Sequence, residues 1–435
     1  MAELTRPAHD RRLARYVHIS KERPAGRGGS GPRRAPRRAR GRPGRSARPP
    51  AGAATGRPRA GRRSARALPR LAHPGHDPLG DALAQVADHV AEHLVLAAEV
   101  VPHGAERHAR LGRHVAQPGL VRAMGLLLEE TKAALAQLDR GERPDLVVHD
   151  GTLCWWGRIL ADRRQVPSVE TWPNLVNNDH WSMHHEYTTV NPLSFGFLRT
   201  GMRLARFLCK EGFSDVQAFL RGDRAAVRLV MLPRAFQYAG ETFGDNYVFV
   251  GPGLSERTVE GGWEPPGDGR PVLLVSLGTA YNERPDFYRT VLEAARDRPW
   301  HVVLAVGRAD PASLGPIPPN VEVHAHVPQL AVLRHARAFV THAGMGSTME
   351  SMHFGVPMVA VPQMAEQRAN ADRIAELGLG QALPAGGSTG AALWQAVEEV
   401  AGDERVRERL RWMRGELAAA GGAAAAADEV ERVLN

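Results

Sequence analysis

Five short apolar runs in the second half of the chain set the tightest limit on what it can fold into. They read "PVLLVSLG", "HVVLAVG", "NVEVHAHV", "RAFVTHAG" and "PMVAVP", and most are separated by stretches with helical spacing. Strand alternating with helix predicts a parallel sheet covered by helices. The first half carries the same cadence more faintly. "PDLVVHD" (residues 144–150) reads as a strand ending in an acid, and "RILADRRQVPSVET" follows as helix then strand. Upstream, residues 78–140 have helical spacing, as in "VRAMGLLLEETKAALAQLDRG", and the closing "DERVRERLRWMRGELAAAGGAAAAADEVERVL" reads as helical to the end.

In open parallel sheets, ligands bind beyond the carboxyl ends of the strands. Three loops meet that rule. Ser276, Gly278 and Thr279 follow "VLLV", the segment His326–Gln329 follows "VEVHA", and "THAGMGST" follows "AFV". The last is a strand, a glycine turn and a helix start, where unpaired backbone N–H groups and the positive end of the helix dipole make a seat for an anion. Three such loops on one sheet edge point to a nucleotide pocket. Glu350, eight residues after His342, lies far enough into the helix to reach a ribose hydroxyl pair; a solvated helix acid is its ordinary alternative.

Charge separates the chain into two parts. Residues 1–75 hold 21 Lys and Arg against 3 Asp and Glu, a net of +18, so the other 360 residues carry −9 of the total +9. From Ser20 to Ala67 there is no Ile, Leu, Val, Met, Phe, Trp, Tyr or Cys. Such a stretch buries too little apolar area to offset its backbone entropy. It is read as disordered, or as the frame-shifted translation of GC-rich codons, which yields this mixture of Arg, Pro, Gly and Ala. A nucleic-acid-binding tail would usually carry more Lys and some aromatic residues. The two cysteines, Cys154 and Cys209, have no metal-ligand or redox spacing, and no apolar stretch spans a bilayer or marks a signal peptide. A cytoplasmic protein is expected. "HAH" (His324, His326) and "HHE" (His184, His185, Glu186) lack a third ligand at sensible spacing, so no metal is expected.

The segment "HVPQLAVLRHARAFVTHAGMGSTMESMHFGVPMVAVPQMAEQRANADRIAELGLG" (326–380) resembles the donor-binding signature of nucleotide-sugar-dependent glycosyltransferases, within them the bacterial macrolide glycosyltransferases. The resemblance extends over most of residues 141–435 and is absent from 1–75. It implies an α/β fold of two facing Rossmann-like domains, with the active site in the cleft between them and a last helix that crosses back to the first domain. On this chain the domains would be 76–250 for the acceptor and 271–435 for the donor. The Gly- and Pro-rich stretch 251–270 would be the linker.

Residue by residue, the resemblance implies that His342 and the backbone of Gly344, Gly346, Ser347 and Thr348 hold the diphosphate. The loop of Ser276, Gly278 and Thr279 joins them. Glu350 takes the ribose hydroxyls. Val327 and Gln329 read the base, and His326 stands where relatives carry a stacking tryptophan. Glu366 and Gln367 bind the sugar's hydroxyls, which favours a hexose. Asp150 would orient a general-base histidine, although a helix cap is the plain alternative for it. The histidine itself is missing: "RPAH" begins as the family does, but the text then loses strand character, and His18 has no glycine loop around it. Were the written frame real, His180–His185 would be the next place to seek the base. The aromatic stretch Trp172–Phe207 lines an acceptor cleft or forms core.

The function expected is an inverting hexosyl transfer from a nucleotide-diphosphate sugar, UDP-glucose first, to a hydroxyl of a macrolide-type small molecule, inactivating the drug. A dTDP-deoxysugar transfer in antibiotic biosynthesis, for instance mycarosyl transfer, is the alternative. The nucleotide sugar is a co-substrate, and no other cofactor is implied. A sugar-nucleotide-binding protein without turnover is a second class, and a basic-tailed nucleic-acid binder a third.

Overall fold

The computed structural model describes residues 18–19, 117–138, 143–187, 193–254, 262–279, 282–384 and 389–435. The expectations for the rest of 1–75 and for 78–116 fall outside these residues.

The first sheet contains β1 (His18–Ile19), β2 (Leu146–Asp150), β3 (Ser168–Trp172), β4 (Val227–Val230) and β5 (Tyr247–Phe249), in chain order. β2 to β5 are parallel; β1 pairs antiparallel, His18 opposite Val147 and Ile19 opposite Leu146. This corrects the reading of residues around His18 as devoid of strand character. The edge of β2 presents unpaired N–H and C=O groups, and two extended residues suffice to pair with it.

Helices α1 (Gln117–Leu138), α2 (Trp155–Arg164), α3 (Met183–Tyr187), α4 (Phe195–Lys210) and α5 (Val216–Arg221) belong to this half. Leu128 and Leu135 of α1 pack with Trp155, Ile159 and Leu160 of α2 and Leu204 and Leu208 of α4. Ser194 caps α4 through its hydroxyl, and Asp215 caps α5. The aromatic stretch is divided in use: Leu175, Val176 and Leu204 are core, whereas Phe195 stands 79% exposed.

The second half contains β6 (Val272–Ser276), α6 (Pro285–Ala295), β7 (His301–Ala305), β8 (Val321–His324), α7 (Gln329–Leu333), β9 (Ala336–Thr341) and α8 (Met345–Phe354). There follow β10 (Met358–Ala360), α9 (Ala365–Glu376), β11 (Gly380–Ala382), α10 (Gly390–Gly402), α11 (Glu404–Ala419) and α12 (Gly422–Leu434). All six strands are parallel, in the order β11-β10-β9-β6-β7-β8. This is the doubly wound order of a dinucleotide-binding sheet, and it reverses between β6 and β9.

The five expected strands of this half are present. β11 was missed: it is three residues long and contains Gly380, where a Cβ would fall 2.0 Å from the Met358 carbonyl oxygen. The terminal helical text breaks into three. Asp403 caps α11, and Gly421 and Gly422, both at positive φ, turn the chain into α12.

Ala426 and Val430 of α12 then pack among Leu146, Val169, Val227 and Leu229 of the first sheet. Residues of both halves also share one apolar cluster, with Leu232, Phe236 and Phe249 against Met349, Ile374 and Met413. The described residues of 251–270 hold no helix or strand. Trp263 is nonetheless fixed to the second sheet, its indole N–H donating to Glu322 at 3.2 Å. Among the described residues, no helix is long and apolar enough to cross a membrane.

Candidate active site

The switch between β6 and β9 brings two of the expected loops side by side. Ser276 Oγ accepts from the Gly278 N–H at 3.3 Å, and Gly278 turns at φ +76°. Asn282, almost wholly buried, donates to the carbonyls of Gly278 (2.9 Å) and Thr279 (3.2 Å) and locks the loop. His342 leaves the end of β9 and lays its imidazole against both turns. A Cβ on Gly278 would lie 2.5 Å from its Cε1, and one on Gly344 would lie 2.4 Å from its Nε2. The glycines are needed because the ring occupies the space a side chain would take. Burial lowers the His342 pKa to about 4, with the Ser276 backbone opposing part of that shift. The imidazole is therefore neutral at physiological pH, and it offers an N–H rather than a full positive charge.

α8 starts directly behind it, with Gly344 as an N-cap that has no side chain of its own to cap the turn; of the first N–H groups, that of Met345 donates to Glu366. The first N–H groups of a helix have no acceptor within it. Thr348 is not among the free ones: its N–H bonds the Gly344 carbonyl at 3.0 Å and its hydroxyl the same oxygen at 2.9 Å. It ties the turn together from inside.

Gln329, at the start of α7, donates from Nε2 to Ser347 Oγ at 3.1 Å and to a carboxylate oxygen of Glu350. Three of the expected donor-site residues thus converge. His326 is exposed on the loop after β8, and Val327 packs partly on the core beneath it. Glu366 and Gln367 open α9. Glu366 Oε1 accepts from Asn370 Nδ2 at 2.6 Å, and burial raises its pKa to about 7 against the Asn370 and Met345 N–H groups. Gln367 is buried, and its Oε1 accepts from the Gln363 N–H at 2.9 Å.

On the first sheet, Asp150 ends β2 with its Oδ1 accepting from the N–H groups of Thr152 (2.9 Å) and Leu153 (2.6 Å). The cap-like alternative therefore describes one oxygen. The other, Oδ2, is buried without a partner, and burial lifts the carboxyl to about 6. The same turn is tied to a buried ion pair that no sequence pattern signalled. Arg158 Nε donates to Glu170 at 2.6 Å, and an Arg158 terminal nitrogen donates to both Glu170 (3.1 Å) and the Gly151 carbonyl (2.5 Å).

Of the other histidines, His149 is buried against Gly157 and Trp156, and His185 is exposed on α3. His324 bonds Glu322 at 3.0 Å and does not join His326. Among the described residues, no group of three or more His, Cys, Asp or Glu side chains is arranged to hold a metal ion.

Residues 289–433 match the family model of the erythromycin biosynthesis protein CIII-like C-terminal domain. The demethyllactenocin mycarosyltransferase of Streptomyces fradiae is 41% identical over 318 residues, 71% of this chain and 68% of that one. The chain belongs to the bacterial macrolide glycosyltransferases. The oleandomycin glycosyltransferase of Streptomyces antibioticus is a further relative, 38% identical over 69% of this chain and 70% of its own. Among solved structures, the calicheamicin glycosyltransferase CalG4 superposes with a TM-score of 0.65 at 36% identity. The match covers 77% of this chain and 85% of that one. As a macrolide-family glycosyltransferase, the protein is an enzyme that transfers sugar from a nucleotide sugar. Its two Rossmann-like domains face each other across the active-site cleft.

Proposed function

We propose that the enzyme moves a hexosyl group, with inversion at the anomeric carbon, from a nucleotide-diphosphate sugar to a hydroxyl of a macrolide-type natural product. UDP-glucose is the donor of this reading, and inactivation of the antibiotic its consequence. The observation that carries it is the His342 imidazole between Gly278 and Gly344 at the switch of strand order, directly before a helix whose N-cap is a glycine.

The diphosphate sits on the first turn of α8, on the N–H groups of Gly344, Gly346 and Ser347, with His342 donating a neutral N–H to the charge that grows on the leaving group. Glu350, with Gln329 and Ser347 beside it, takes the ribose hydroxyls. Val327 and His326 flank the base. Glu366 and Gln367 hold the hydroxyls of the sugar, and an ionised Glu366 is the better acceptor for them. On the opposite sheet the free oxygen of Asp150 is placed to receive the ring N–H of a histidine, which takes the proton of the attacking hydroxyl. Domain limits of 76–250 and 271–435, joined by 251–270, belong to the same proposal. The base belongs to a first-domain loop that the frame as written does not encode.

A second reading, transfer of a deoxysugar from a dTDP donor, is favoured by the name of the Streptomyces fradiae relative. One experiment separates the two. The chain, its reading frame verified across codons 8–120, is incubated with a macrolide and either UDP-glucose or a dTDP-deoxysugar, and the product is weighed by mass spectrometry. A macrolide heavier by one hexosyl residue supports the first reading. Gain of a deoxysugar only supports the second, and no product from either donor removes both.

A further inference from the structure

The side chain that joins the two ends of the donor site is Asn370, one helical turn after Glu366. It is fully buried, and its Nδ2 donates 2.6 Å to Glu366 Oε1 and 2.9 Å to the carbonyl of Ala343. Both partners are acceptors, so the amide can face them only with its nitrogen, whose two hydrogens are then both used. Its Oδ1 is left buried without a partner. A buried, unbonded oxygen is unfavourable, and an apolar side chain of similar size would avoid it. What the amide supplies, against that cost, is its pair of N–H bonds.

Each bond fixes something the site needs. Ala343 stands between His342 and Gly344 at φ +61°, a left-handed conformation that a residue with a Cβ seldom adopts. Its N–H donates to Thr341 Oγ1 at 3.1 Å, so with Asn370 on its carbonyl it is held from both sides. The peptide unit is planar and trans, so a carbonyl drawn toward Asn370 directs the following N–H, that of Gly344, the opposite way. On Glu366 the same amide occupies one carboxylate oxygen and favours its charged form. Among the described residues, the groups acting on this carboxyl are the Asn370 amide, the Met345 N–H of α8 and the burial itself.

We propose that Asn370 is a positioning residue that couples the sugar-binding end of the donor site to the diphosphate turn, holding Glu366 and Ala343 through one amide. This rests on the reading of Glu366 as the group that binds the donor sugar.

The test is calorimetry on the full chain with UDP and UDP-glucose, with dTDP and dTDP-glucose alongside, for wild type, Asn370→Ala and Glu366→Gln. Asn370→Ala is expected to weaken the nucleoside diphosphate roughly 5- to 20-fold, the range for loss of one or two hydrogen bonds. It should weaken the sugar nucleotide further. The pH at which the sugar adds affinity should also move upward, because Glu366 ionises less readily without its donor. A residue that only filled space would leave that pH unmoved. Asn370→Ser, which keeps one donor and is the second variant should alanine not fold, should lose less. If Glu366→Gln leaves the ratio of the two affinities unchanged, the reading of Glu366 fails. If Glu366→Gln changes it while folded Asn370→Ala behaves as wild type, the coupling through Asn370 is wrong.

Discussion

Removing the charge of Glu170 should destabilise the first sheet without touching the donor site. The Glu170 side chain is fully buried and accepts from Arg158 at 2.6 and 3.1 Å and from the Trp172 indole N–H at 3.0 Å. In Glu170→Gln the amide turns a donor toward these donors. Arg158 then keeps the Gly151 carbonyl and a single amide oxygen, one of its bonds to residue 170 is lost, its charge has no counter-ion, and its other terminal nitrogen is already buried without a partner. Breaking a buried pair from one side costs about 3–5 kcal/mol. With a urea dependence of about 2–3 kcal/mol per molar, the midpoint should fall by roughly 1–2 M. Tryptophan fluorescence is the assay, because Trp155, Trp156 and Trp172 all border this network or its helix. The double variant Glu170→Leu with Arg158→Met should be less harmful than the sum of its singles, since it leaves no stranded charge. Affinity for nucleoside diphosphate should stay as in wild type, because those residues sit on the other sheet. A midpoint shift below about 0.3 M, or a double variant worse than the sum, would refute the reasoning.

Gly278→Ala should push the His342 ring out of place and weaken diphosphate binding about tenfold or more, the effect of one hydrogen bond to a charged group. Gly269→Ala, equally at positive φ but with nothing within 4 Å of the added carbon, should cost stability and leave affinity alone. Replacing Glu366 and Gln367 together with Ala should abolish sugar-dependent turnover while free diphosphate binds nearly as before; joint loss of both, read by calorimetry, would make the pair structural. Because burial holds Glu366 at about 7 in the fold, against 4.5 when unfolded, its neutral form contributes stability that is present below 4.5 and lost as pH rises through 7. Glu366→Gln should therefore gain on wild type between pH 5 and 8, by up to about 3 kcal/mol, in urea titrations at each pH.

The sequence was most legible where one physical pattern was uninterrupted. β6, β7, β9 and β10 are apolar runs closed by glycine or proline and were readable as buried strands, whereas β8, at the sheet edge, alternates Val with Glu322 and His324 and is only partly buried. β4 was not readable, because Arg228 interrupts it; that side chain lies buried and spends its guanidinium on the carbonyls of Arg221 and Gly222 and on Asp223. The meeting of Gln329, Ser347 and Glu350 was foreshadowed by three loops falling on one sheet edge. The buried Arg158–Glu170 pair, Asn282 and Asn370 had no such signal: each is a polar residue paired across a distance that periodicity does not encode. For Asn370 a faint cue existed, its position four residues after Glu366 on one helix face.

The claim on which the rest depends is that the turn between β9 and α8 holds the diphosphate of the donor. Titrating UDP and dTDP into the full chain and into His342→Ala tests it by calorimetry. The account predicts measurable binding of at least one of them by the wild type and a loss of about tenfold or more in the variant. Equal affinity in the two proteins, with both folded, would remove His342 from the diphosphate and contradict the site described.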